Sequence, residues 1–179
     1  MTSPTAIPVR VVETVAVPGP TVTVTVPASP GTPETASPSP APEENPKGQS
    51  LALLTPVDGE RFPLEPGSGT IKGKKYEDAL TVATCSTDRF TEYNLGTSWK
   101  RMTASVGLDD TSSDWPMTVK ILADDETRAS VQAATGIARP ISIDVTGATR
   151  LRIEYETSGG TCDFDNPPLL VIGTPLLER

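Results

Sequence analysis

The sequence repeats one pattern four times between residues 100 and 156, where apolar side chains alternate with polar ones. Successive side chains of a strand point to opposite sides, so this alternation indicates strands with one buried face. Segments rich in Gly, Asp, Ser and Pro, such as "GLDDTSSDWP", separate the runs. Short strands joined by such turns predict an all-β fold, an antiparallel β-sandwich or barrel. The predicted inward-facing residues are Met102, Ala104 and Val106; Met117, Val119 and Ile121; Ile141, Ile143 and Val145; and Leu151, Ile153 and Tyr155.

The beginning of the chain has a different composition. Eleven of the 19 prolines lie in residues 1–46, and no aromatic residue precedes Phe62. Such a segment buries too little apolar surface to offset the entropy lost on ordering. We therefore expect residues 1–48 to be a disordered Pro/Thr/Val/Ser-rich stalk or linker, and residues 49–179 to be one folded domain. The alternative for the valine-rich runs within residues 9–26 is a short edge strand that pairs with a partner.

The charge balance excludes some classes of partner. The chain has 23 acidic and 15 basic residues, a net charge of −8, without a run of Lys and Arg. Binding to nucleic acid or to an anionic membrane surface requires a basic surface, so we expect neither. The sequence has no apolar stretch of 18 residues, and residues 1–15 lack the features of a signal peptide. Because Pro/Thr tethers are typical of bacterial surface proteins, we expect an extracellular or cell-surface location, with any membrane anchor upstream of Met1.

The chain contains no histidine. This excludes a histidine-based catalytic triad and the usual catalytic zinc sites. The Ser-x-x-Lys, Gly-x-Ser-x-Gly, Walker and dinucleotide-binding motifs are also missing. Paired carboxylates remain, but they lie in segments with turn composition, whereas a glycosidase needs two carboxyl groups flanking a bond in a cleft. We therefore expect no enzymatic activity.

Several phrases occur in the order of a known family pattern. They are "YNLGTSWKRMTASVGLDD" at 93–110, "MTVKILADDE" at 117–126, "ISIDVTGATRLRIEYE" at 141–156 and "CDFDNPPLLV" at 162–171. Residues 50 to 178 resemble the carbohydrate-binding module family NPCBM. The resemblance implies a galactose-binding-like jelly-roll sandwich and a non-catalytic module, often attached to secreted enzymes or surface proteins. The last phrase departs from the pattern, because Phe164, Asp165 and Asn166 stand where a Trp and often a nearby His are expected.

Candidate ligand residues follow from the chemistry of sugars, which stack on flat aromatic rings and bond to planar polar groups. Trp99, just before a predicted strand, and Trp115, after a polar loop, are the candidates for stacking. The alternative for both is packing at an end of the sandwich. Tyr93 and Tyr155 are in phase with core positions, so we expect them to pack inside. The candidate polar contacts are Asp110, Asp165 and Asn166.

Acidic loops raise the question of a cation. Asp109 and Asp163 are the candidate metal ligands, because Ca²⁺ prefers oxygen donors. None of the acidic loops has EF-hand spacing, and ordinary turn-forming aspartate is the alternative. Calcium is the one cofactor that the sequence suggests.

The two cysteines, Cys85 and Cys162, predict a disulfide bond. The domain is acidic, follows a predicted stalk and has an even number of cysteines, two, which is typical of proteins in an oxidising compartment. Cys85 and Cys162 each lie just before a predicted strand, and strands near the two ends of a jelly roll commonly run side by side. The alternative is two buried free thiols that pack as small apolar residues.

Two functions remain open at this point. The favoured one is weak binding of a glycan or cell-wall polysaccharide by a non-catalytic module outside the cytoplasm. The alternative is a structural or protein–protein interaction domain of a bacterial surface protein or assembly, without a sugar ligand.

Overall fold

The computed structural model describes residues 48–59, 63–158 and 162–179. The predicted stalk, apart from its last residue Gly48, lies outside these ranges, as does its alternative as an edge strand. The described residues form one short 3₁₀ turn, Leu51–Leu53, and the strands β1 (Gly48–Ser50), β2 (Asp58–Gly59), β3 (Glu65–Ile71), β4 (Lys74–Ala83), β5 (Arg89–Asn94), β6 (Arg101–Leu108), β7 (Met117–Ala123), β8 (Glu126–Ala133), β9 (Arg139–Asp144), β10 (Arg150–Thr157) and β11 (Leu169–Glu178). Within those ranges, no helix is long and apolar enough to cross a membrane.

The strands form two antiparallel sheets. In sheet A the order is β3-β4-β11-β6-β9, and β1 pairs with the last residues of β11. In sheet B the order is β2-β5-β10-β7-β8. One buried cluster takes its side chains from both sheets, as expected for a sandwich. The predicted all-β antiparallel sandwich is confirmed.

The interior between the sheets contains every residue that the alternation placed there. All of them are at most 9% exposed. Ile153 of β10 pairs in register with Ile121 of β7, and Tyr155 pairs with Val119, so side chains on one face meet across the ladder. Tyr93 and Tyr155 are buried, and the prediction that they pack inside is confirmed. Burial, together with the neighbouring Tyr155, raises the pKa of the Tyr93 hydroxyl well above its ordinary value.

A second buried cluster lies on the opposite, outer face of sheet A. Its members are Ile71, Tyr76, Ala79 and Val171. Val171 alternates with Leu170 and Ile172, which belong to the main core, so this cluster is on the other side of β11.

A bulge in β4 creates the outer cluster. Gly67 of β3 pairs with Ala79, but Gly69 pairs with Tyr76, so β4 has one residue more than β3. The extra residue turns Tyr76 to the outer face. The ring then lies against Gly173, where any side chain would overlap it. The β3–β4 hairpin therefore covers part of the outer face of sheet A.

The connections between strands form two different ends. At the loop end lie the segments 84–88, 109–116 and 134–138, together with residue 158 and residues 162–168. At the turn end lie the segments 95–100, 124–125 and 145–149. The registers support this division, because Leu169 pairs with Ala83 and Leu170 pairs with Leu108 at the loop end.

Candidate loop-end binding site

The predicted disulfide bond is present at the loop end. Cys85 and Cys162 are bonded, with their Cα atoms 5.5 Å apart and a sequence separation of 77 residues. The bond ties the β4–β5 loop to the β10–β11 loop. Two backbone hydrogen bonds support the same junction, from the Thr84 N–H to the Pro168 carbonyl and from the Thr157 N–H to the Ser86 carbonyl, each at 3.3 Å.

The loop that carries Trp115 is fastened to the same junction. The Ser158 N–H donates to the Pro116 carbonyl at 2.8 Å. The hydroxyl oxygens of Ser158 and Thr118 are also 2.8 Å apart. Trp115, which is partly exposed, is thus held beside the start of the β10–β11 loop.

The closing turn, Asp163–Asn166, carries the other exposed side chains of this end. The Asp165 N–H donates to the Asp163 carboxylate at 2.9 Å, and the Asn166 N–H donates to the Asp163 carbonyl at 3.3 Å. These bonds close the turn and leave Phe164 pointing outward. Phe164 is 83% exposed, more than the other exposed large hydrophobic side chains of the described residues. Asp165 and Asn166 are exposed as well.

Four of the five candidate ligand residues therefore lie in the loop-end segments, and three of these, Trp115, Asp165 and Asn166, are not engaged in capping the β3–β4 hairpin as Asp110 is. Trp115, Asp165 and Asn166 lie on two loops that are joined through Ser158. Phe164 was not among the candidates. The signal that marked it in the sequence was its position, because it stands where the family pattern has a tryptophan.

Trp99 lies at the turn end and is not part of this group. Its side chain is 7% exposed and belongs to the main core cluster. The Arg179 guanidinium lies 5.0 Å from the ring centroid. Trp99 thus occupies the packing position that was the alternative for it, and its ring offers little surface to a ligand.

Asp109 uses its carboxylate to hold the chain together. It is 7% exposed and accepts hydrogen bonds from the Thr111 hydroxyl (2.6 Å), the Thr111 N–H (2.9 Å) and the Thr70 N–H (2.7 Å). Burial favours the neutral acid, but the bonds from Thr111 and Thr70 outweigh it and lower the pKa of Asp109. The end of β6 is thereby tied to β3.

Asp110 performs the same role next to it. Its two carboxylate oxygens accept from the backbone N–H groups of Lys72 (2.8 Å) and Gly73 (2.7 Å). Both of these residues have a positive φ, so they form the tight turn between β3 and β4. The carboxylate of Asp110 thus caps the hairpin tip through both of its oxygens.

The described ranges contain no group of three or more His, Cys, Asp or Glu side chains arranged to hold a metal ion. Asp109 binds N–H and O–H donors, and the Asp163 carboxylate accepts from its own turn. Calcium binding by these two residues stays a prediction from the sequence.

Comparisons with known proteins agree with this architecture. The family model described as the NPCBM/NEW2 domain matches residues 56–167. A search of the curated proteins finds no match. Among solved structures, the M60 catalytic domain with the CBM51-1 and CBM51-2 domains from Clostridium perfringens ZmpB aligns with a TM-score of 0.59 at 17% identity, covering 74% of this chain and 15% of that chain.

Two further structures from the same organism were solved with a sugar. CBM51 from Clostridium perfringens GH95, in complex with methyl-galactose, aligns with a TM-score of 0.58 at 11% identity, covering 73% of this chain and 99% of that chain. CBM51-2 with the INT domains of ZmpB, in complex with GlcNAc, aligns with a TM-score of 0.58 at 10% identity, covering 74% of this chain and 32% of that chain. At these identities the likeness shows a shared fold.

Proposed function

Because this chain belongs to the NPCBM/NEW2 domain family, we propose that it is a non-catalytic module that binds carbohydrate, with cell-wall or other polysaccharide as its ligand. Two solved structures of the same fold are complexes with methyl-galactose and with GlcNAc, which supports this class of ligand. The ligand site that we propose is the loop end.

The exposed ring of Phe164 is the observation that carries the location. A large apolar side chain that is 83% exposed loses favourable burial unless a partner covers it. The apolar face of a sugar ring is such a partner, since aromatic rings stack on flat surfaces. Phe164 lies two residues from the disulfide-bonded Cys162, so the turn that presents it is anchored covalently.

The neighbouring side chains supply the polar contacts. Asp165 and Asn166 provide carboxylate and amide groups, which accept from and donate to sugar hydroxyls. Trp115 provides a second aromatic surface on the adjoining loop. The disulfide and the Ser158 bonds hold both loops before the ligand arrives, and this preorganisation lowers the entropy cost of binding.

The location of the protein belongs to the same proposal. A disulfide bond forms and persists in oxidising compartments, which supports an extracellular or cell-surface location. The Pro/Thr/Ser-rich residues before the domain would then act as the stalk that carries the module.

The test is a titration of the full chain followed by ¹H–¹⁵N NMR, with methyl-galactoside, N-acetylglucosamine and cell-wall polysaccharide fragments as probes. We expect amide shifts in the closing turn and near Trp115, and we expect Phe164→Ala to abolish them. Leu53→Ala is the matched control, because Leu53 is a 76% exposed apolar side chain on the 3₁₀ turn next to β1.

Amide chemical shifts that stay unchanged with every probe would refute the carbohydrate proposal. They would favour the alternative function, a protein–protein interaction domain, in which Phe164 would be the aromatic anchor for a protein partner. Shifts that persist in Phe164→Ala would place the sugar elsewhere on the molecule.

A further inference from the structure

We propose that the outer face of sheet B holds a second sugar subsite, separate from the loop end. A cleft of about 260 Å³ lies on this face, with strands β5, β10 and β7 as its floor. Pockets for drug-sized ligands span roughly 300–1,000 Å³, so this cleft suits a smaller ligand such as one sugar residue. The inference rests on the proposed function for the class of ligand, but not for the location.

A row of three side chains crosses the floor. Phe90 of β5 pairs in register with Glu154 of β10, and Glu154 pairs with Lys120 of β7. Directly paired residues of an antiparallel sheet project to the same face about 5 Å apart. An aromatic ring, a carboxylate and an ammonium group therefore lie side by side, and the two charged groups offer an acceptor and a donor.

Arg152 is fixed above one end of this row. Its guanidinium carbon lies 3.7 Å from the centroid of the Phe90 ring, and its Nε lies 3.6 Å from a carboxylate oxygen of Glu154. The cation–π contact and the ion pair hold the guanidinium plane in place. Because Arg152 covers a face of Phe90, a sugar would bind here mainly through its hydroxyl groups, unlike at the loop end.

The charges of the cleft favour a neutral ligand. Three acidic side chains, Asp88, Glu154 and Glu156, line it together with three basic ones. The ion pair between Lys120 and Glu156 is long, at 4.0 Å, and both side chains are about 40% exposed, so both groups can still bond to a ligand. An anionic ligand would be repelled by the three acidic side chains, and a cationic ligand by the three basic ones. A sugar hydroxyl both donates and accepts, so it can use carboxylates and cations at once.

The cleft adjoins the loop end. Thr118 lines the cleft and is three residues from Trp115, and its hydroxyl oxygen is the one that lies 2.8 Å from that of Ser158. The cleft therefore reaches the start of β7, which follows the loop that carries Trp115. A polysaccharide that occupies the loop end could place a further residue in the cleft.

The experiment is a ¹H–¹⁵N NMR titration of the full chain with the two monosaccharide probes, methyl-galactoside and N-acetylglucosamine. We expect a set of shifts at the amides of Phe90, Lys120 and Glu154 that saturates separately from shifts in the closing turn. Glu154→Gln removes the central charge at constant size, so it should weaken binding at the cleft by roughly tenfold, the usual effect of a hydrogen bond to a charged group. Lys120→Gln should weaken it as well.

The matched control is Glu77→Gln, which breaks an ion pair of similar kind with Lys75 on the exposed side of β4. Shifts confined to the closing turn would overturn the cleft proposal and leave the proposed function intact. Shifts confined to the cleft would support this subsite and overturn the loop-end location. The absence of shifts at both places would overturn both proposals, and cleft shifts that both variants leave unchanged would overturn the assignment of the floor residues.

Discussion

The two ends of the sandwich are held together by different kinds of bond. At the turn end, side chains cap tight turns through hydrogen bonds alone: the Asp144 carboxylate accepts from the Thr146 N–H at 2.8 Å, and the Asn94 side chain accepts from the Gly96 N–H at 3.0 Å. The Asp124 carboxylate also accepts from the N–H groups of Thr149 and Arg150, which are 25 and 26 residues away in sequence. At the loop end, a covalent bond and hydrogen bonds to the buried Asp109 carboxylate join the segments. The disulfide spans 77 residues, and the bond from Thr70 to Asp109 spans 39.

This difference supports our proposal that the ligand binds at the loop end. At the turn end, the polar side chains are used by the backbone beside them, and the large ring of Trp99 is buried. At the loop end, a few strong ties fix the loop backbones, and Phe164, Asp165 and Asn166 remain exposed. Side chains on loops that a rigid scaffold positions are the usual place for binding residues.

Removal of the disulfide should have the largest effect on stability. For a separation of 77 residues, the chain-entropy model gives about 4 kcal/mol of stabilisation. We expect the double variant Cys85→Ser/Cys162→Ser to lose about that amount in the free energy of unfolding measured with urea. Since domains have only about 5–15 kcal/mol in total, the loss is severe. Equal stability of the variant and the parent would contradict the view that this bond holds the loop end. Alkylation of the unreduced, denatured parent, which should leave both cysteines unlabelled, is the control.

The second-largest loss of stability should come from removing the hydrogen bonds of Asp109. Asp109→Ala removes the acceptor of three hydrogen bonds and leaves the N–H groups of Thr70 and Thr111 without it. Loss of a partner for a buried donor costs about 1–3 kcal/mol, so we expect a loss of that size in urea unfolding. Asp163→Ala is the control at the same end, since that carboxylate accepts within an exposed turn. If both variants lose the same small amount, Asp109 does not tie the hairpin to β6.

The sequence predicted the core of the fold because its signal is local. Alternation along β6, β7, β9 and β10 places apolar side chains on one face wherever the strands pair. The disulfide could be predicted because the chain has only two cysteines.

The covered outer face of sheet A could not be predicted in the same way. The position of Tyr76 depends on one extra residue in β4 and on Gly173, almost a hundred residues later. The alternation around Tyr76 contains no sign of either. The structural roles of Asp109 and Asp110 could not be predicted either. The N–H groups that bind their carboxylates belong to the β3–β4 hairpin, almost 40 residues earlier, so the sequence near these two residues indicates only possible ligand contacts.

The two tryptophans show the same limit at the candidate site. Trp99 and Trp115 each lie shortly before a strand and next to polar residues, so their local sequences make them equal candidates for ligand residues. The two tryptophans differ in burial, since Trp99 is buried and Trp115 is partly exposed. Trp99 is buried by the main core cluster and lies next to Arg179, which is 80 residues later in the sequence. Tertiary contacts of this kind have no local pattern.

The pH dependence of stability tests the turn end, and we expect a smaller effect on stability than from the disulfide or Asp109 variants. Hydrogen bonds from Thr149 and Arg150 lower the pKa of Asp124, and those from Thr146 lower the pKa of Asp144. A lowered pKa means that the folded state binds fewer protons than the unfolded chain at pH values between the folded-state and unfolded-state pKa. Stability therefore rises with pH over that interval. The contribution is complete at neutral pH. It begins to fall as the pH drops towards about 4, the ordinary value for aspartate, and it is lost below the folded-state pKa values.

The double variant Asp124→Asn/Asp144→Asn should make this dependence shallower. Asparagine keeps an acceptor oxygen and tolerates the positive φ of Asp124, but it does not titrate. We expect urea unfolding between pH 7 and pH 2.5 to show a smaller loss of stability for the variant than for the parent. Asp125→Asn, the next residue of the same turn, is the matched control. Identical pH profiles for the double variant and the parent would mean that the turn-end carboxylates contribute nothing to stability as anions.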